Sequence, residues 1–83
     1  MTAKKKIHVQ YYALLREEAG KSKENVETKA LTVLDLYKEL QRKYHFKLDD
    51  KVLRVAVNDE FCFWSKKINS GDSIVFIPPV AGG

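Results

Sequence analysis

Eighty-three residues are enough for one domain and too few for two, because half-chains of that size could not bury a useful core without metals or disulfides. A hydrophobic fraction of 45% beside 31% charged residues is that of a chain that folds on its own core rather than one that stays disordered. The formal charge of +4 is modest, and away from Lys4-Lys5-Lys6 the basic residues alternate with acidic ones, without the basic stripe and interleaved aromatics of a nucleic-acid surface.

In chain order, Ile7, Val9, Tyr11 and Ala13 alternate with His8, Gln10 and Tyr12, the period of a strand with one buried face. Leu14 to Ala19 are helix formers, and Gly20 stands where a helix end takes a left-handed residue, which predicts one or two helical turns. Val26, Thr28 and Ala30 give a second, less buried strand. Thr32-Val-Leu-Asp35 has the form of a capped helix start, the Thr hydroxyl accepting from first-turn amides and Asp35 sitting at the positive end of the helix dipole. Val33, Leu36, Tyr37, Leu40 and Tyr44 then recur at spacings of three and four, predicting the main helix over residues 33–45, with Glu39 and Lys43 as an i,i+4 pair.

Leu53, Val55 and Val57 alternate into the turn Asn58-Asp59-Glu60, and the apolar run Phe61-Cys-Phe-Trp64 follows, so two strands flank that turn. Asn69-Ser-Gly-Asp72 is a further turn, in which Gly71 can take a positive φ, and Ser73 to Ile77 form the last strand. Pro78-Pro79 ends the sheet pairing, since neither residue has an N–H to donate. This order predicts a single α+β domain over residues 1–83, a mixed sheet curled around one main helix.

The body of that domain offers little chemistry. His8 on a strand and His45 near a helix end have no partners at triad or metal-ligand spacing, and no metal site is expected. Cys62 is the sole cysteine, so no internal disulfide can form, and between Phe61 and Phe63 it reads as an inert core thiol of a cytosolic protein. No glycine-rich loop is present to cradle a phosphate, because two of the four glycines are the last two residues. No apolar stretch approaches the ~20 residues of a membrane span, and no signal-peptide core marks the chain for export.

The tail differs. Pro78-Pro-Val-Ala-Gly-Gly83 begins stiff and extended, continues with small side chains, and ends on two residues without a Cβ before the carboxylate. Six extended residues reach about 20 Å, enough to thread a narrow channel on another protein. Activated with ATP as an acyl-adenylate, the carboxylate would accept sulfur and become a thiocarboxylate. A second expectation comes from alternation: if Ile7, Val9 and Tyr11 face the helix, Tyr12 faces out, and if Ile74 and Phe76 face in, Val75 and Ile77 face out. Tyr12, Ile77 and Phe61 then either share an exposed docking face or are covered by loops or the core.

Val9-Gln-Tyr-Tyr-Ala-Leu-Leu-Arg-Glu-Glu-Ala-Gly20, Thr32-Val-Leu-Asp-Leu36, Ala56-Val-Asn58 and Ser70-Gly-Asp-Ser-Ile-Val-Phe-Ile-Pro-Pro-Val-Ala-Gly-Gly83 resemble the MoaD family, the small subunits of molybdopterin synthase. The resemblance covers almost everything after Lys6 and implies a ubiquitin-like β-grasp fold. It further implies that an E1-like adenylyltransferase uses ATP to activate Gly83, that a sulfur donor protein converts it to a thiocarboxylate, and that the tail enters the large synthase subunit. Two such sulfur transfers to a cyclic pyranopterin precursor would build molybdopterin in a heterotetramer. Gly83 would be the reacting residue and Gly82 the one that lets the tail thread. Tyr12, Phe61, Ile77, Pro78, Pro79, Val80 and Ala81 would meet the partner, and no cofactor would be held by this chain.

Two features depart from the family: Lys66-Lys67 before Ile68, and an overall basic charge where acidic small subunits are expected. They leave the charge of the partner's surface open. A carrier for thiazole synthesis or tRNA thiolation would use the same activated Gly83, a ubiquitin-like modifier would join it to lysines, and a plain interaction domain would not need it.

Overall fold

The computed structural model describes residues 4–79. Five strands form one mixed sheet in the order β2-β1-β5-β3-β4. They are β1 (Lys5–Tyr11), β2 (Lys23–Thr28), β3 (Arg54–Val57), β4 (Glu60–Phe61) and β5 (Ser73–Ile77), with helices α1 (Ala13–Ala19) and α2 (Val33–Tyr44) between them. The central pair β1 and β5 is parallel, and β2 and β3 flank it antiparallel. With α2 against one face, this is the ubiquitin-like β-grasp.

One core explains the arrangement. Ile7, Val9 and Tyr11 from β1, Val55 and Val57 from β3, and Ile74 and Phe76 from β5 point to one side and bury against Val33, Leu36, Tyr37 and Leu40 of α2. Tyr37 is its hub: its ring lies 5.1 Å from Phe76, 5.6 Å from Trp64 and 5.9 Å from Phe46, and its hydroxyl donates to the Leu48 carbonyl at 2.6 Å. Burial pushes that phenol up to about 12, with the nearby carboxylates of Glu18, Asp50 and Asp49 adding to the shift.

The caps follow the sequence. Thr32 and Asp35 form the reciprocal capping box of α2. The remaining first-turn amides are taken from outside the helix: Val33 donates to the Lys66 carbonyl and Leu34 to the Trp64 carbonyl. Residues 64–68 are therefore a strap over the helix start, which accounts for the placement of Lys66-Lys67: Lys67 bridges to Thr32, and Ile68 is buried behind it. Gly20 closes α1 at φ 76, as its position in the sequence predicts.

Several expectations change. Ala13 is not the end of the first strand but the start of α1, at a φ of 51 that sets the chain off at an angle from β1. Glu39 does not pair with Lys43; it accepts a hydrogen bond from Thr28 Oγ1 at 2.8 Å, a tie from α2 to β2. The strand after the hairpin is two residues long, because only Phe61 and Glu60 pair with Ala56 and Val57 before the chain turns toward α2. The loop of that hairpin is Asn58-Asp59, both at positive φ, the two-residue turn whose twist suits antiparallel strands. A 3-10 turn at Asp50–Val52 occupies the polar connection before β3.

A polar clamp joins β1, β2 and α2. Glu24 accepts from the Tyr11 hydroxyl at 2.5 Å and the Tyr44 hydroxyl at 2.7 Å, and Lys21 lies 3.6 Å from its carboxylate. Burial opposes the charge on Glu24, but the two phenol donors and the ammonium groups of Lys21 and Lys43 outweigh it and hold the carboxyl below its usual range. Tyr11 shifts upward, through burial first and then its bond to Glu24.

Candidate functional site

The parallel pairing of β1 and β5 determines what lies beside the tail. Tyr11 is opposite Phe76, so Tyr12 comes level with Ile77, and both point away from the core. Tyr12 is the residue before α1, makes no side-chain cap, and is 43% exposed. Ile77 and Pro78 are half-buried and Pro79 is exposed. The sheet ends at Ile77, as two successive residues without an N–H require. Val80, Ala81, Gly82 and Gly83 lie outside the described residues.

Phe61 reaches the same face from the far edge. The pairings Gln10 with Val75, Val75 with Ala56 and Ala56 with Phe61 form one row across four strands. Gln10 and Phe61 are thus separated by three strand spacings, about 14 Å, and Tyr12, two residues past Gln10, is further still from Phe61. The structure brings Tyr12 and Ile77 together and sets Phe61 apart from them. Ala56 and Val75 fill the middle of the face, and Arg54, opposite Ile77 on β3, stands between the two ends.

Phe61 is 66% exposed and Phe63 86% exposed, the latter the most exposed large apolar side chain among the described residues. The Arg54 guanidinium lies over the Phe61 ring, 5.8 Å from its centroid. Arg54, Phe61, Cys62 and Phe63 line one shallow groove at this edge. Cys62 and Trp64 turn inward and pack against the core; burial raises the Cys62 thiol, against the pull of Lys66, so it is neither exposed nor activated.

Arg54 and Phe63 were not singled out by the sequence. The signal for Phe63 was present: in Phe61-Cys-Phe-Trp64, alternation sends 61 and 63 to one face and 62 and 64 to the other. Arg54 gave no such signal, since its partner on β5, Ile77, is distant in the chain. Among the described residues no group of three or more His, Cys, Asp or Glu side chains could hold a metal ion. No helix among the described residues is long and apolar enough to cross a membrane.

The model of the ThiS family matches residues 9–83. The molybdopterin synthase sulfur carrier subunit of Mycobacterium tuberculosis is 39% identical over 82 residues, covering 94% of this chain and 98% of that protein. Among solved structures, molybdopterin converting factor subunit 1 from Pyrococcus furiosus aligns with a TM-score of 0.77 at 29% identity, over 92% of this chain and 99% of that one. A protein-protein complex of subunits 1 and 2 of the molybdopterin-converting factor from Helicobacter pylori contains a chain that aligns at TM-score 0.63 and 29% identity, over 94% of this chain and 99% of that one. The match spans residues 9–83, and the chain belongs to the ThiS family, which includes the MoaD-type carriers its motifs resemble.

Proposed function

We propose that this chain is the sulfur carrier subunit of a molybdopterin synthase. The observation that carries the reading is the 39% identity across 98% of a molybdopterin synthase sulfur carrier subunit, supported by a family match that extends to Gly83. The reacting group is the Gly83 carboxylate. An E1-like adenylyltransferase joins it to AMP from ATP with release of pyrophosphate, and sulfide released from a donor protein attacks the acyl carbon, the new C–S bond forming as the C–O bond to AMP breaks, to leave the thiocarboxylate and AMP. The chain itself binds no cofactor.

The folded body serves that chemistry by position. β5 stops at Ile77, Pro78-Pro79 holds the next step extended, and the small residues Val80, Ala81 and Gly82 let the tail pass through a narrow channel. Tyr12, Ile77 and Phe61 dock the large subunit, with Pro78 and Pro79 at the mouth of that channel. There the sulfur passes to a cyclic pyranopterin precursor, in a heterotetramer of two carriers and two large subunits. Groups that bind the pterin belong to the partner. The reading places the carrier in the cytosol, beside its activating enzyme.

The test is the intact mass of the full chain after incubation with its host's adenylyltransferase, ATP and a sulfur source. Replacement of one oxygen by sulfur, a gain of about 16 Da, is expected at Gly83. The thiolated chain mixed with its large subunit should then convert the precursor to molybdopterin. An unchanged mass in an extract that thiolates another carrier would overturn the reading. Thiolation without transfer to the pterin precursor would move the chain to thiazole synthesis or tRNA thiolation, and covalent adducts on lysines that require Gly83 would make it a protein modifier.

A further inference from the structure

Arg54 lies where a partner must deal with it. It is exposed, it is opposite Ile77 in the β3–β5 register, and its guanidinium lies over the ring of Phe61. Among the described residues it has no ion-pair partner, the pairs being Lys21 with Glu24 and Lys38 with Asp50, and its guanidinium makes no hydrogen bond. Any surface that covers both Ile77 and Phe61 therefore also covers a cation that has no ion-pair partner among the described residues. Removing that cation from water without an acceptor is strongly unfavourable. Resting on an aromatic ring, it is held in place at low entropic cost, with its N–H fork free to meet a carboxylate in bidentate fashion.

We propose that the Arg54, Phe61 and Phe63 end of the outer sheet face docks an apolar surface of the large subunit that carries an Asp or Glu opposite Arg54, so that Arg54 selects the partner. The proposal rests on the carrier reading above and adds the chemistry of the partner's surface. Phe63 extends the apolar contact past the sheet edge, and the ion pair sets which surface can close over Phe61 and Ile77. Charge at such a contact contributes most to partner choice, because a mismatched group leaves Arg54 buried and unpaired.

The experiment measures the affinity of the full chain for its own large subunit by calorimetry, over a series of salt concentrations. Arg54→Gln should weaken binding about 10-fold and Arg54→Glu about 100-fold, with the salt dependence reduced in Arg54→Gln. Phe63→Ser should weaken it about 10-fold. Thermal melting should be unchanged in all three, since both side chains are exposed. An Asp or Glu→Lys substitution on the large subunit should restore binding to Arg54→Glu.

Wild-type-like affinity of both Arg54 variants would overturn the proposal while leaving the carrier reading intact. Slower adenylation of Arg54→Glu with unchanged large-subunit binding would also overturn it, by placing the acid on the activating enzyme. Failure of the unaltered chain to bind the large subunit at all would overturn both.

Discussion

The two faces of one sheet carry the same kinds of side chain and use them differently. On the inner face Tyr11, Val55, Ile74 and Phe76 are shut against α2, and the ring cluster around Tyr37 fills the space between. On the outer face Tyr12, Phe61 and Phe63 are left in water, with Arg54 laid across one of them. The inner face holds the fold, and the outer one is the face proposed above to dock a partner. A small domain cannot leave so much aromatic surface uncovered for the sake of its own stability, because burying it is the largest source of stability such a domain has.

Substitutions at three places in the molecule test that contrast. The largest effect belongs to the inner face: Phe76→Ala removes a fully buried ring in contact with Tyr37 and Trp64 and should cost about 3–5 kcal/mol in denaturant unfolding. A cost below about 1 kcal/mol would mean that the core is not organised around this ring.

The next effect belongs to the Glu24 clamp. Glu24→Ala leaves the Tyr11 and Tyr44 hydroxyls without their acceptor and should cost about 2 kcal/mol at neutral pH. The carboxyl is depressed in the folded state, so the unfolded chain binds the extra proton first and stability rises with pH through that window. The clamp's contribution is complete above the ordinary carboxylate range near 4 and is lost as pH falls through the lower folded value. Unfolding measured from pH 6 down to pH 2 should show the unaltered chain losing more stability than Glu24→Gln; parallel curves would show that the clamp carries no charge-dependent stability.

The smallest effect belongs to the outer face, and it completes the contrast. Phe61→Ser combined with Phe63→Ser should move unfolding by no more than about 0.5 kcal/mol, while affinity for the large subunit, and with it sulfur transfer to the pterin precursor, falls. If the double variant unfolded as readily as Phe76→Ala, the outer face would be part of the core in all but exposure.

Much of this was legible in the sequence because it was local. The alternation of Ile7, Val9 and Tyr11 placed Tyr12 on the outside, the Thr32 and Asp35 box placed the start of α2, and Gly20 placed the end of α1. Local rules failed where a distant contact competed. The i,i+4 rule joins Glu39 to Lys43, but Glu39 accepts from Thr28 across the β2–α2 seam, where a partly buried hydrogen bond outweighs a solvated ion pair. The first strand's alternation ran on to Ala13, but the chain must leave the sheet after Tyr11 to form α1, and it does so through a positive φ that Ala rarely takes. The run after Phe61 had the apolar content of a strand, yet the amides at the start of α2 draw residues 64–68 away from the sheet.

By itself, then, the sequence determined the elements, the buried side of each strand, the helix caps, and a tail ending in Gly82-Gly83, because each depends on periodicity or on neighbours a few residues apart. Only the tertiary structure decided that β5 inserts between β1 and β3. That choice brings Tyr12 level with Ile77 and puts Arg54 between Ile77 and Phe61. Strand order is settled by closing one core from segments far apart in the chain, and nothing in the residues around Arg54 records that β5 will lie beside it.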